Sequence, residues 1–433
     1  WVVFCKKNAR DLEKLIEYLR HERGLIVIDD EADYASPDGN VNKADYDKTK
    51  INRLISDLLG EDGYYVGVTA TPARLNLNNT FQNESENWVD FDAHPAYVGQ
   101  DFFFPSDGQV NFRLHTFEAD EGDERSEIEK AVLHFMCGVA ELHRKGQKKN
   151  YTMLIHTSGK RVEHDEDVGY VDATLDTLAN PSGSGFERLR KRLFEIAKSY
   201  SAGDGSDVGE FVLRNIERNV VVKINSSPKK SGKVSDIAKP TSLFSYGVGG
   251  NIISRGVTFD NLLSMYFTRS VKGKFPQDTY LQRARMFGSR QSYKNEFQLW
   301  IPKELMGNWS KCFAFHKLAL EAQRSGAGAP VWLADHKTTP TSAASIDKSS
   351  VDFEGGEMSF GLFAYDEDVV SRLFERTVRS DAEVLQGLRS AFNNQELPDY
   401  VFNYLKQELK SGSRVISFHK PSSFGTAGNK YTD

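Results

Sequence analysis

The run Asp29-Asp30-Glu31-Ala32-Asp33 follows directly on the apolar stretch Leu25-Ile26-Val27-Ile28. A carboxylate at the end of a strand can hold Mg2+, usually through water, and a glutamate beside it can orient or deprotonate an attacking water. Asp30 is therefore the candidate metal residue, and Glu31 the candidate base, of a nucleotide hydrolase. An isolated Asp-Glu pair is more often a plain acidic strand end, so the reading rests on context. Asp33 follows two residues later, and Thr69-Ala70-Thr71 closes the next apolar run, where short hydroxyl side chains can reach the acids of a neighbouring strand.

The second stretch with chemical potential, residues 245–290, is glycine-punctuated and cationic. Gly249-Gly250 and Arg255-Gly256 mark two turns, and a helix predicted over 278–287 leads Gln282, Arg283, Arg285 and Arg290. Phosphoryl transfer builds charge on the γ-phosphate, and an arginine supplied there contributes about three to five orders of magnitude in rate. Helical arginines are usually surface or ion-paired residues, but the spacing Gln-x-x-Arg-x-x-Gly-x-Arg just after a strand favours the functional reading for Arg285 and Arg290. Between residues 223 and 274 nine lysines and arginines face two aspartates, an excess that could meet phosphates. Lys229, Lys230 and Lys233 alone read equally well as a solvated loop.

The elements that must position these residues alternate between strand and helix. Residues 1–5 read as a strand and 8–23 as a helix with Leu12, Leu15, Ile16 and Leu19 on one face. The run 25–28 reads as a strand buried on both faces of a parallel sheet, with its acids at the carboxyl edge where open α/β sheets bind ligands. A helix through Ile51 to Leu59 and a strand at 64–68 follow; residues 75–111 show no clear period. A second unit opens with a helix over 126–145, then strands at 151–155, 220–225, 243–248, 263–268 and 296–301, with helices near 168–178 and 186–200 between them. The fold class expected is α/β with two parallel-sheet lobes: 1–118 as an incomplete first lobe, 119–302 as the second, and 303–433 as a helical or mixed extension.

At 433 residues, 39% apolar and 27% charged, the chain is ordinary for a globular protein of two or three domains. No apolar run approaches the roughly 18–20 residues that span a bilayer, so no membrane partner is expected. Cys5, Cys137 and Cys312 are far apart and form no Cys-x-x-Cys pair, which argues against a zinc site or a disulfide framework and for a reducing cytoplasm. The net charge of −6 is too unevenly spread to name a partner. A start at Trp1 leads to the expectation that the chain is cut from a longer polypeptide.

These residues carry a resemblance. Asp30-Glu31-Ala32-Asp33 resembles the acidic motif of superfamily-two helicases, Thr69-Ala70-Thr71 their coupling motif, Ile253-Ser254-Arg255-Gly256 their Arg-Gly motif, and 282–290 their arginine-finger motif. More narrowly, Ile-Asp-Asp-Glu-Ala-Asp, Ser-Arg-Gly-Val-Thr-Phe and Leu-Gln-Arg-Ala-Arg-Met-Phe-Gly-Ser-Arg resemble the prokaryotic Z1 domain family, which carries an endonuclease label, over residues 1 to about 302. The resemblance implies two RecA-like lobes and an ATP-dependent, DNA-acting helicase or translocase of restriction or phage defence, with ATP and Mg2+ as cofactors. Its implied partners are DNA, double-stranded first of all, and nuclease or other defence subunits. By motif position Asp30 serves Mg2+, Glu31 activates water, Thr69 and Thr71 couple hydrolysis to DNA, and Arg285 and Arg290 reach the γ-phosphate. Gln282, Arg255 and Gly256 fall at nucleotide-binding positions; His156, Thr157, Ser158 and Lys223 fall near the nucleic acid.

Two departures accompany it. Ala284 stands where the family usually has glycine before the first arginine. A phosphate-cradling Gly-x-x-x-x-Gly-Lys-Ser/Thr loop is missing from the sequence, and is expected upstream of Trp1. Two other readings stay open: a binding scaffold without turnover, and a metal-dependent nuclease for which His164-Asp165-Glu166-Asp167 is the one candidate site, itself expected to be a solvated acidic turn. His134 and His143, nine apart, are expected to be structural, and Phe102-Phe103-Phe104 cannot all point inward from one strand.

Overall fold

A computed structural model describes residues 1–43, 47–78, 88–105, 108–118, 124–156, 161–224, 234–250, 257–268 and 275–324, with short pieces at 332, 338–342, 345–347, 382–383, 385–386 and 405–406; for 161–163, 275 and 321–324 it describes the backbone alone. In chain order the first elements are α1 (Ala9–Leu19), β1 (Ile26–Asp30), α2 (Lys50–Leu59), β2 (Tyr64–Val68), α3 (Ala73–Asn78), β3 (Tyr97–Val98), α4 (Gln100–Phe103), β4 (Arg113–Phe117) and α5 (Glu124–Arg144). Then come β5 (Tyr151–His156), α6 (Arg161–Ala179), α7 (Phe186–Ala197), α8 (Ser206–Arg214), β6 (Asn219–Ile224), α9 (Ser235–Ala238), β7 (Phe244–Gly249) and β8 (Leu262–Phe267). The last are β9 (Phe275–Pro276), α10 (Gln277–Arg283), β10 (Gly288–Ser289), β11 (Gln298–Pro302), α11 (Lys303–Arg324) and β12 (Thr338–Thr339).

The chain is an α/β protein built on a six-stranded sheet of order β4-β11-β8-β5-β7-β6, in which every neighbouring pair is parallel. Its central strands are buried nearly along their whole length, as mostly apolar strands inside a parallel sheet are, with Thr152, Ser245 and Ser264 the buried polar positions among them. Alternate side chains feed two cores. Met153, Ile155, Tyr246, Tyr266 and Trp300 face α5, α6, α7 and α8, while Leu154, Met265, Phe267, Leu299 and Ile301 face α4, α10 and α11. The face expected on α5 is the buried one: Ile128, Val132, Phe135, Met136, Val139 and Leu142 are fully covered.

Strand β4 lies within the segment read as the first lobe, yet it forms the edge of the large sheet. The expected boundary at 118 therefore falls behind a strand of the second unit. Phe102, Phe103 and Phe104 end in one aromatic cluster with Phe112, Phe287, Phe297, Trp309 and Phe313. A helical turn, not a strand, lets all three contribute.

The smaller unit pairs β1 with β2 in parallel, Asp30 opposite Val68. Helices α1 and α2 cover one face through Leu12, Leu54 and Ile55. On the other face Ile26 and Ile28 are 67% and 71% exposed, with Tyr64, Val66 and Val68 beside them, so the strand read as buried on both faces is covered on one. Residues 1–5 are exposed and form no strand, contrary to their apolar composition. Strand β3, whose Val98 packs in the second core of the large sheet, pairs with β10; later residues reach both units, Thr341 bonding Asp278 at the start of α10 and Ser345 and Asp347 bonding Asn78 and Leu77 of α3. Among the described residues no helix is long and apolar enough to cross a membrane.

Candidate functional site

Strand periodicity turns the two aspartates at the end of β1 to opposite faces. Asp29, 7% exposed, points to the covered side, where it accepts from Ser36 Oγ at 2.5 Å and Tyr65 Oη at 2.7 Å and pairs with Lys7 Nζ at 2.8 Å. Burial, and then the charge of Asp29, push the Tyr65 phenol well above its ordinary range. Asp29 is thereby fully engaged in structure. Asp30 and Glu31 are exposed, and the Asp30 carboxylate accepts the Glu31 amide at 3.0 Å. Glu31 has φ 50°, in the left-handed region that non-glycine residues rarely adopt. A carboxylate offered to solvent beside a glutamate on a tight turn suits a hydrated Mg2+ and a water; no phosphate cradle lies among the described residues.

After that turn Asp33 folds inward and is 3% exposed. Gly67 on β2 makes this possible: a Cβ there would come within 3.1 Å of Ala32 Cβ and 2.9 Å of Leu75 Cδ2. The Asp33 carboxylate accepts from Thr69 Oγ1 at 2.7 Å and from Thr71 Oγ1 at 3.0 Å. It also accepts from the side-chain amide of Gln282 on α10, which lies 3.1 Å from Thr71 Oγ1 as well. The hydroxyl residues thus meet the last acid of the run, and the glutamine placed at a nucleotide-binding position is bonded to them.

Helix α10 ends at Arg283, four residues earlier than the helix expected over 278–287, because Ala284 leaves helical geometry with ψ 58°. Arg285 is half-buried on the turn that follows. Arg290 is 3% exposed, and its guanidinium donates to the carbonyls of Met286 at 2.7 Å, Phe259 at 3.3 Å and Arg285 at 3.0 Å and to Tyr293 Oη at 3.0 Å. It holds the loop that carries Arg285. Gly288, at φ 150°, lies against that guanidinium, 3.4 Å from where a Cβ would sit.

His156 ends β5 beside Phe267, with ring centroids 5.4 Å apart. Burial and the nearby Arg283 lower its pKa to about 4, so it is neutral at physiological pH. Lys223, placed near nucleic acid by its sequence position, forms an ion pair with Asp165 of α6. Thr157, Ser158, Arg255 and Gly256 lie outside the described residues. The run 164–167, expected as a solvated turn, is helical, with His164 and Asp167 buried. Among the described residues no group of three or more His, Cys, Asp or Glu could hold a metal ion. His134 is structural, as expected: its Nδ1 is 2.9 Å from Tyr200 Oη.

Lys7 is the residue that sequence reasoning missed. Besides Asp29 it donates to the carbonyls of Asp30 at 2.9 Å and Glu31 at 2.8 Å. Its type and setting do not distinguish it from Lys6; only the fold does. No curated protein matches the chain. Residues 127–323, from the first helix over the large sheet to the end of α11, match the family model of the Z1 domain, a region that begins after the acidic turn and supports that family label for the larger unit.

Proposed function

We propose that this chain forms the hydrolytic part of an ATP-dependent, DNA-acting enzyme of the helicase or translocase kind, with the smaller and larger units as its two lobes. The observation that carries this reading is the bond from Gln282 to Asp33 and Thr71. It joins the acidic turn of one unit to the segment of the other that holds Arg285, which is what a nucleotide shared between two lobes requires.

In this reading Asp30 would hold Mg2+, and Glu31 would accept a proton from the attacking water. Bound magnesium ATP supplies the phosphoryl group. Arg285 faces the charge that develops on it, and Arg290 keeps Arg285 in place. Asp33, Thr69 and Thr71 carry the state of the acidic turn to α10. Double-stranded DNA is the substrate track, with a nuclease or other defence subunit as partner; the endonuclease label of the Z1 family fits such an assembly.

The test is ATP hydrolysis, with and without DNA, by the natural polypeptide that contains this chain, alongside Glu31→Gln and Arg285→Ala. DNA-stimulated turnover abolished by both substitutions supports the reading. DNA binding without turnover in all three proteins favours a scaffold, and DNA cleavage independent of ATP favours a nuclease.

A further inference from the structure

We infer that Lys7 is the positioning residue of the acidic turn: its ammonium group sets the peptide geometry that presents Glu31, without touching the reacting atoms. This rests on the proposed hydrolytic role of Glu31 for its functional half, and on geometry alone for its structural half. An ammonium has three donors, and three oxygens surround this one: Asp29 Oδ1 at 2.8 Å, the Asp30 carbonyl at 2.9 Å and the Glu31 carbonyl at 2.8 Å. The three belong to consecutive residues, the last two being the pair that the site needs.

Each side of this grip is anchored independently. Lys7 directly precedes Asn8, whose side chain caps α1 by accepting the Asp11 amide at 3.0 Å, and α1 is fixed to α2 through Leu12. Asp29 is held by Ser36 and Tyr65. Between these anchors lies Glu31 at φ 50°. Such a conformation costs energy and persists only where its surroundings determine it. The Glu31 carbonyl, which also accepts the Tyr34 amide at 2.8 Å, is turned toward Lys7 by this backbone conformation. Lys6, one residue earlier, is exposed.

The experiment compares wild type with Lys7→Met, Lys7→Gln and Lys7→Ala in the natural polypeptide that contains this chain. Amide hydrogen exchange is measured without nucleotide. Exchange across residues 31–34 should rise about tenfold or more while α5 and β5 stay protected. If wild type hydrolyses ATP, kcat should fall at least tenfold in each variant with KM for ATP little changed, and millimolar methylamine or ethylamine should restore turnover to Lys7→Ala. Lys7→Gln keeps a neutral amide with two of the three donors and covers the case in which the methionine variant fails to fold. Unchanged exchange over 31–34 overturns the structural half whatever the activity. Loosened exchange with undiminished turnover, or a loss confined to KM and not rescued by amines, overturns the functional half. A wild-type protein without ATPase activity sinks the hydrolase reading and leaves exchange to decide the role of Lys7.

Discussion

The side-chain amide of Gln282 donates to the carboxylate of Asp33, a residue 249 positions earlier in the chain. Both side chains are short and Asp33 is already held by two threonines. A shift of the acidic turn against β2 must therefore move α10, or break this bond. Three residues beyond Gln282, past the break at Ala284, stands Arg285, on the loop whose carbonyls Arg290 holds.

Arg285 and Arg290 should separate cleanly when each is replaced by alanine. Arg290→Ala leaves three carbonyls and Tyr293 without their buried donor, and should cost about 2–4 kcal/mol of stability, read as a lowered denaturation midpoint. Arg285→Ala should lower the midpoint by less than Arg290→Ala does and lower ATP turnover by about three orders of magnitude.

Acid should destabilise the larger unit through its neutral histidines. Burial, followed by the charges of His115, Arg113 and Arg192, lowers the pKa of His134 from 6.5 to about 3. Burial and Arg113 lower that of His115 to about 4. The unfolded chain then binds more protons than the folded one from pH 6.5 down to about 4 for His115 and about 3 for His134, so stability falls as pH drops through that window and is fully present above it. Each unit of depression corresponds to about 1.4 kcal/mol. Chemical denaturation at a series of pH values should show this slope, and His134→Gln, which cannot titrate, should flatten it.

The pieces at 338–342 and 345–347 should tie α10 to α3. Thr341 Oγ1 donates to the buried Asp278 carboxylate at 2.7 Å, and four residues on, Ser345 takes the Asn78 amide at 2.9 Å. Thr341→Val leaves Asp278 short of a donor and should cost about 1–3 kcal/mol, with Thr341→Ser near wild type in the same melt.

The large sheet is legible because its central strands are short, mostly apolar runs spaced between helical patterns, the alternation that a parallel sheet requires. Strand β4 is not: Arg113-Leu114-His115-Thr116-Phe117 is an edge strand with mixed side chains, and its membership depends on pairing with a strand nearly two hundred residues away. The helix through 287 was overcalled because Leu281 and Met286 keep an apolar pattern past the point where Ala284 breaks the backbone. Residues 1–5 misled in the other direction, since composition measures a preference for burial and not its presence. That Thr69 and Thr71 meet the acidic run is legible from their type and from their place at the end of the next apolar stretch, whereas the bond from Gln282 to Asp33 depends on how the chain folds. The ion pair of Lys223 with Asp165 has no signal in the sequence, because Asp165 comes from another element. Lys7 was invisible because a lysine beside a lysine carries no signal until α1 is set against β1.

The most direct test is a double-mutant cycle on the bond between Gln282 and Asp33. ATP turnover with saturating DNA is measured for wild type, Asp33→Asn, Gln282→Ala and the double variant. If the contact couples the acidic turn to Arg285, the double variant should lose little more than the worse single one, a coupling of about 0.5–3 kcal/mol. Losses that multiply, with each substitution acting as though the other residue were absent, would contradict it.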